Sequence, residues 1–261
     1  MSADIFAKKR RNSLVLFLII GAATAVSIII TEFSMAKGFT SVPKAIQWSL
    51  SNFYPTKDSL TKLPDILIKL KETLLISIAA TTLAGILAFV FAILGSNTTR
   101  VNAFFGGFSR GIAVLFRNID VSIWALVLLF SFGQSSLTGY FALFFGSFGF
   151  LTRAFIETID EVSSSSVEAL QATGASYLTI ISQSVIPSTI PQMISWVLFM
   201  IETNIRNATL VGLLTGSGIG FTFNLYYKNL NYDIASLVVI TIIISILCIE
   251  YISNYVRRVI L

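Results

Sequence analysis

The chain contains no histidine, which removes the commonest general base at neutral pH and the commonest zinc ligand together. It has a single cysteine, Cys248, inside an apolar run. One thiol excludes a disulfide framework and carries no information about redox compartment. Charge is scarce: Asp, Glu, Lys and Arg make up 12% of the 261 residues, against about 25% in ordinary soluble domains. That scarcity excludes a water-soluble globular protein. A phosphate-binding loop is also missing. The glycine run Gly212 to Gly220, GLLTGSGIG, is followed by Phe221 rather than by Lys and Ser or Thr. Its last three glycines alternate instead of following G-x-G-x-x-G, so neither nucleotide fingerprint fits.

What is present is apolar surface. Hydrophobic residues are 55% of the chain and its mean hydropathy is +0.83. Both point to an all-α polytopic membrane protein forming one transmembrane domain. The basic excess, 18 Lys and Arg against 13 Asp and Glu, is ordinary for ends facing anionic lipid and gives no reason to invoke nucleic acid. A bilayer core of roughly 30 Å takes about 20 helical residues, and six runs are predicted to span: 14–31, 73–99, 111–130, 140–158, 187–205 and 234–255. Residues 1–13 form a basic tail, and the first run reads as an uncleaved signal anchor. Residues 33–65 are too polar to span, although Ala45 to Tyr54 suits an interfacial position with Trp48 as anchor. The Phe-rich fourth span and Trp124 read as packing. Six spans leave both termini on one side. Lys8-Lys9-Arg10-Arg11 and Arg257-Arg258, flush against the outermost spans, predict that side to be cytoplasmic. Residues 160–186 then lie inside, and residues 33–65 and 207–232 outside. The Gly212–Gly220 run becomes a flexible or re-entrant outer loop.

Four polar features interrupt this pattern. Residues 163–187, SSSSVEALQATGASYLTIISQSVIP, carry Ser165 and Glu168 at capping-box spacing, a bend residue at Gly174, and Pro187 suited to a first helical turn. The small residues Ala169, Ala172, Gly174 and Ala175 offer a surface that another backbone can approach; the plainer alternative is a capped connector. Arg117 and Asp120 stand at i and i+3 in the third span, predicting one shared helix face. A charge there costs about 2.5–3.5 kcal/mol on insertion scales, so the pair either neutralises itself or lines a path for an anion. Glu202 and Arg206 stand at i and i+4 near the outer end of the fifth span. This is either an ordinary helix pair or, with Asn204 and Asn207, part of a pathway wall.

Glu168-Ala169-Leu170, Gly174 and Pro187 together resemble the EAA loop of binding-protein-dependent ABC importer permeases. Leu170 replaces the third alanine, and the Ile-x-Leu-Pro ending reads Ser184-Val185-Ile186-Pro187. RNIDVSIWAL (117–126), VIPSTIP (185–191) and ETNIRNATLVGLLTGSGIGF (202–221) narrow the resemblance to the phosphonate ABC transporter permeases. Asp120 stands where that family often has proline. The resemblance implies a type I, MetI-like fold in a prokaryotic inner membrane. It also implies a homodimer, an ATPase subunit dimer seated on Glu168, Ala169, Gly174 and Pro187, and an extracytoplasmic substrate-binding protein. The chain would hold no cofactor of its own, ATP and Mg belonging to the ATPase, and would be no enzyme. Two alternatives stay open: the same architecture with another cargo, such as a vitamin precursor, and a membrane-embedded enzyme. The latter needs clustered acids, cysteines or histidines within the spans, which the chain lacks.

Overall fold

The computed structural model describes residues 2–260, and the chain divides into two units, residues 1–53 and 54–261. The first contains α1 (Ser2–Ile30) and α2 (Met35–Asn52). The apolar part of α1 is long enough to span. In α2, Met35, Phe39, Val42, Ile46 and Leu50 recur at helical spacing on one stripe, with Lys37 and Lys44 off it. Ser34 caps its start by accepting from the Lys37 N–H at 3.3 Å. The predicted outer loop 33–65 is therefore largely helical. The helix there begins at Met35, earlier than the Ala45 expected for an interfacial stretch, and passes through Pro43 without stopping.

The second unit opens with a 3-10 turn (Ser59–Lys62) and runs through α3 (Leu63–Gly95), α4 (Ala103–Asn118), α5 (Val121–Phe132) and α6 (Ser136–Val162). Then come the short α7 (Ser164–Ala172) and α8 (Tyr177–Ile180), a π turn (Ile181–Val185), α9 (Ile186–Thr215), α10 (Gly218–Lys228) and α11 (Tyr232–Ile260). Helix α6 is central and packs against α3, α4, α5 and α9. On α3, Ala80, Ala84, Ala88 and Ala92 recur every fourth residue and are fully buried. Such a stripe lets backbones approach where lipid offers no hydrophobic contrast. Phe148, Leu151, Phe155 and Ile159 of α6 complete one core cluster with Val167, Val185 and Met193. Ala125, Leu143, Ala208 and Val211 form a second cluster, and Ile66, Leu70, Ile219, Leu237 and Val238 a third.

Three sequence expectations are corrected here. The third span is not one helix: α4 and α5 meet at 90°. Among the described residues, five helices are long and apolar enough to span, or six if this bent pair counts as one span. Ile119 and Asp120 are extended, and the Asp120 carboxylate accepts the Ser122 N–H at 2.8 Å. Aspartate here starts a helix, so it leaves the face that carries Arg117. Next, the fifth span continues to Thr215, and Glu202 stands near its middle rather than its outer end. Finally, the Gly212–Gly220 run is no loose loop. It is the tight junction of α9 and α10, closed by Gly216 at φ 69°.

Candidate functional site

Polar side chains gather at one level of the second unit. Asn204 on α9 donates to Thr81 Oγ1 of α3 at 2.8 Å and to Ser147 Oγ of α6 at 2.5 Å. These partners stand well inside their helices, so the level is far from either end of the spans. Asn204 is fully buried and its Oδ1 has no partner among the described residues. It is enclosed by three helices, so its expected place on a pathway wall is corrected: Asn204 ties α9 to α3 and α6 within the chain.

The α4–α5 break sits at the same level. A Cβ on Gly149 of α6 would collide with the Phe116–Arg117 peptide, and one on Gly146 would fall 2.5 Å from Val121 Cγ2. Glycine at these positions lets the broken span lie directly on α6. Aromatic packing clamps the bend: Phe116 of α4 stacks on Trp124 of α5 with centroids 5.2 Å apart, and Phe148 meets Phe116 edge-on at 5.6 Å. Arg117 is thus fixed at its backbone, while its guanidinium is exposed and joins none of the ion pairs found among the described residues. The self-neutralising Arg117–Asp120 pair is absent. Arg117 complements the C-terminal end of α4, whereas Asp120 is spent on the start of α5.

On the outward face of α9, Glu202 Oε1 meets Arg206 Nη1 at 2.8 Å, so the predicted helix pair forms. The same carboxylate also reaches Arg257 of α11, Oε2 to Nη2 at 3.5 Å. Arg257 had been counted only as an end anchor. It lies beside the middle of α9 because α11 starts level with the turn before α3, where Thr56 donates to Asp233 at 3.0 Å. Asn207 is half-buried beside this group. Among the described residues, no three His, Cys, Asp or Glu side chains converge on a possible metal site.

The 163–187 segment forms the other polar end. Its helix starts one residue before the expected capping box, with Ser163 as N-cap and its hydroxyl turned to Ile159 O at 2.6 Å. Glu168 falls in the second turn and caps nothing. Gly174 adopts φ 77°, and the Gly174 and Ala175 N–H groups bond to Gln171 O at 3.0 Å and Leu170 O at 3.2 Å. This is a Schellman closure, which favours glycine there. Val167 and Leu170 anchor the segment on the core. Glu168, Ala169, Ala172 and Gly174 are exposed, so the small-residue surface is bare. Pro187 occupies the first turn of α9, after the π turn.

The α3–α4 loop is held from both sides. Asp160 at the end of α6 accepts from Ser96 Oγ at 2.5 Å, Thr98 Oγ1 at 3.0 Å and the Thr98 N–H at 3.1 Å, with Arg110 Nη2 at 3.8 Å. Tyr177, within the 163–187 segment, donates its hydroxyl to Thr99 O at 2.9 Å. Nothing in the local sequence around Asp160 or Tyr177 marks them, because their partners are remote in the chain.

The family described as binding-protein-dependent transport system inner membrane component matches residues 84–260. The chain belongs to that family. HtxC of Stutzerimonas stutzeri, whose name refers to phosphite transport, is 27% identical to this permease over 97% of its chain and 89% of the relative. PhnE2 of Escherichia coli K12, named for a cryptic phosphonate transport system, is 30% identical over 45% of this chain and 96% of its own. The permease fold is shared with the MetNI methionine ABC transporter in inward-facing conformations: TM-score 0.66, 16% identity, 79% of this chain and 99% of that one.

Proposed function

We propose that this permease is the membrane-spanning half of an ATP-driven importer for phosphonates or a related small oxyanion. A second copy would complete the pathway, an ATPase dimer would seat on Glu168, Ala169, Gly174 and Pro187, and an extracytoplasmic binding protein would deliver the cargo. The observation that carries this reading is Arg117: an always-charged, exposed side chain in no ion pair among the described residues, with its backbone fixed beside a helix break. A charge so placed faces water or protein, not lipid, and its planar fork suits phosphonate oxygens. Both relatives are named for phosphorus oxyanions, which agrees. The basic run at residues 8–11 supports a cytoplasmic position for the termini and for residues 160–186.

Uptake of methylphosphonate, phosphite and a neutral solute into proteoliposomes holding the complete transporter tests this. We expect oxyanion uptake that Arg117→Gln abolishes and Arg117→Lys restores in part. The double variant Arg117→Gln with Asp120→Asn should stay defective, since Asp120 caps α5 instead of pairing. Glu168→Lys should uncouple ATP hydrolysis from uptake. Selective uptake of the neutral solute alone would leave the permease architecture standing and discard the oxyanion.

A further inference from the structure

The Glu202–Arg206–Arg257 group has the wrong stoichiometry for a simple ion pair. One carboxylate serves two guanidiniums, leaving a net positive charge where an isolated one is costly. The three side chains come from two helices and differ in exposure: Glu202 is 12% exposed, Arg257 26% and Arg206 43%. Asn254 Oδ1 steadies Arg257 at 3.2 Å from Nη1. Each guanidinium has five N–H donors, and the bonds formed here use few of them. The 3.5 Å contact to Arg257 is the loose one.

We propose that Glu202 is a built-in counter-anion, and that a small tetrahedral oxyanion in transit displaces it from Arg206 and Arg257. The inference rests on the oxyanion-importer reading and adds a second station to it, formed by α9 and α11 rather than by the α4–α5 break. A tetrahedral oxyanion offers the two arginines more oxygens and at least equal charge, so it competes with the carboxylate on favourable terms. When it leaves, Glu202 returns and the arginines are never both bare. Binding is therefore weak enough for release, which a conducting site needs. No covalent step is involved.

The exchange reading predicts opposite effects for two partners in one cluster; a purely structural pair predicts effects of the same sign. The measurement is direct binding of methylphosphonate and inorganic phosphate to the purified permease–ATPase complex in nanodiscs, without the binding protein. Glu202→Gln should tighten Kd about tenfold and slow uptake, because the competing charge-assisted contact is gone. Arg257→Gln should weaken Kd about tenfold or more, and Arg257→Lys should recover part of the loss. Should Glu202→Gln fail to assemble, Glu202→Asp serves instead: its shorter arm cannot span both arginines, and Kd should tighten by a smaller factor. Weaker or unchanged binding in the Glu202 variants overturns the exchange. So does wild-type uptake of oxyanion with no binding to the complex, which leaves the importer reading intact. A wild-type complex that neither binds nor imports an oxyanion overturns both.

Discussion

Within one turn of α9, the fold treats two polar groups in opposite ways. Asn204 turns inward, is wholly enclosed, and ties α9 to Thr81 and Ser147. Glu202 and Arg206 turn away from those partners toward α11, carry charge, and recruit Arg257 from that last helix. Inside a helix bundle an uncharged amide fixes register at modest cost, and hydrogen bonds of this kind average about 0.6 kcal/mol in membranes. A charged side chain at the same level has no such option. It needs water, a counter-charge or a second protein. Polarity at this level thus divides into what holds the chain together and what the chain holds for something else.

The largest effect is expected where the two halves of this contrast depend on one contact. Gly149→Leu would drive the Phe116–Arg117 peptide off α6, displacing Arg117 and opening the Phe116–Trp124–Phe148 clamp. Overpacking of this kind costs about 3 kcal/mol. Thermal melting of the purified complex should show a collapse of stability, while Gly111→Leu on α4, where a Cβ meets nothing within 4 Å, should melt like the wild type.

The contrast itself is tested by Asn204→Ala against Arg206→Gln. The first should lower stability by about 1–2 kcal/mol, with uptake per folded transporter nearly unchanged. The second should leave melting within about 0.5 kcal/mol and lower uptake several-fold. Parallel melting curves and uptake traces for the same proteoliposome preparations distinguish them, and a reversed pattern would break the division.

In the 163–187 segment, Tyr177→Phe removes only the hydroxyl bond to Thr99 O. That bond joins the proposed docking segment to the loop leading into α4, whose far end carries Arg117. A neutral hydrogen bond contributes about 1 kcal/mol, so ATP consumed per molecule imported should rise a few-fold at unchanged assembly. An unaltered ratio would remove Tyr177 from the link between the two regions.

The smallest effect concerns the inward class alone. Thr152 on α6 is fully buried and its hydroxyl has no partner among the described residues. Thr152→Val should raise stability by about 0.5–1 kcal/mol by removing an unsatisfied group. A fall would mean that the hydroxyl has a partner in the assembled transporter.

Much of this was legible in the residues. The apolar runs located the helices because a membrane leaves backbone groups no partners but each other. The Gly174 bend and the small surface of 169–175 were readable because a Schellman closure is local. Asp120 was visible as a charge yet misplaced on a helix face. An i, i+3 spacing presumes an unbroken helix, whereas aspartate is also a strong helix starter, and packing on Gly146 and Gly149 decided between them. Arg257 looked like an end anchor because sequence distance to Glu202 says nothing about how far α11 is displaced along α9. Asp160 stayed hidden since its partners on the α3–α4 loop come close only when α3 and α6 pack.

Composition and periodicity by themselves therefore determined that the chain is a helical membrane protein without nucleotide, metal or disulfide signatures. The local motifs determined that it carries a capped, small-surfaced segment between its fourth and fifth spans. Tertiary structure alone decided which mid-depth polar groups turn inward and which outward. It also decided where the third span breaks and which arginines share one carboxylate. The physical reason is that helix formation and membrane insertion are settled by short-range backbone bonding and mean hydropathy. The facing of a side chain depends on which neighbour leaves room for it, and glycines and alanines on α3 and α6, far away in sequence, set that room.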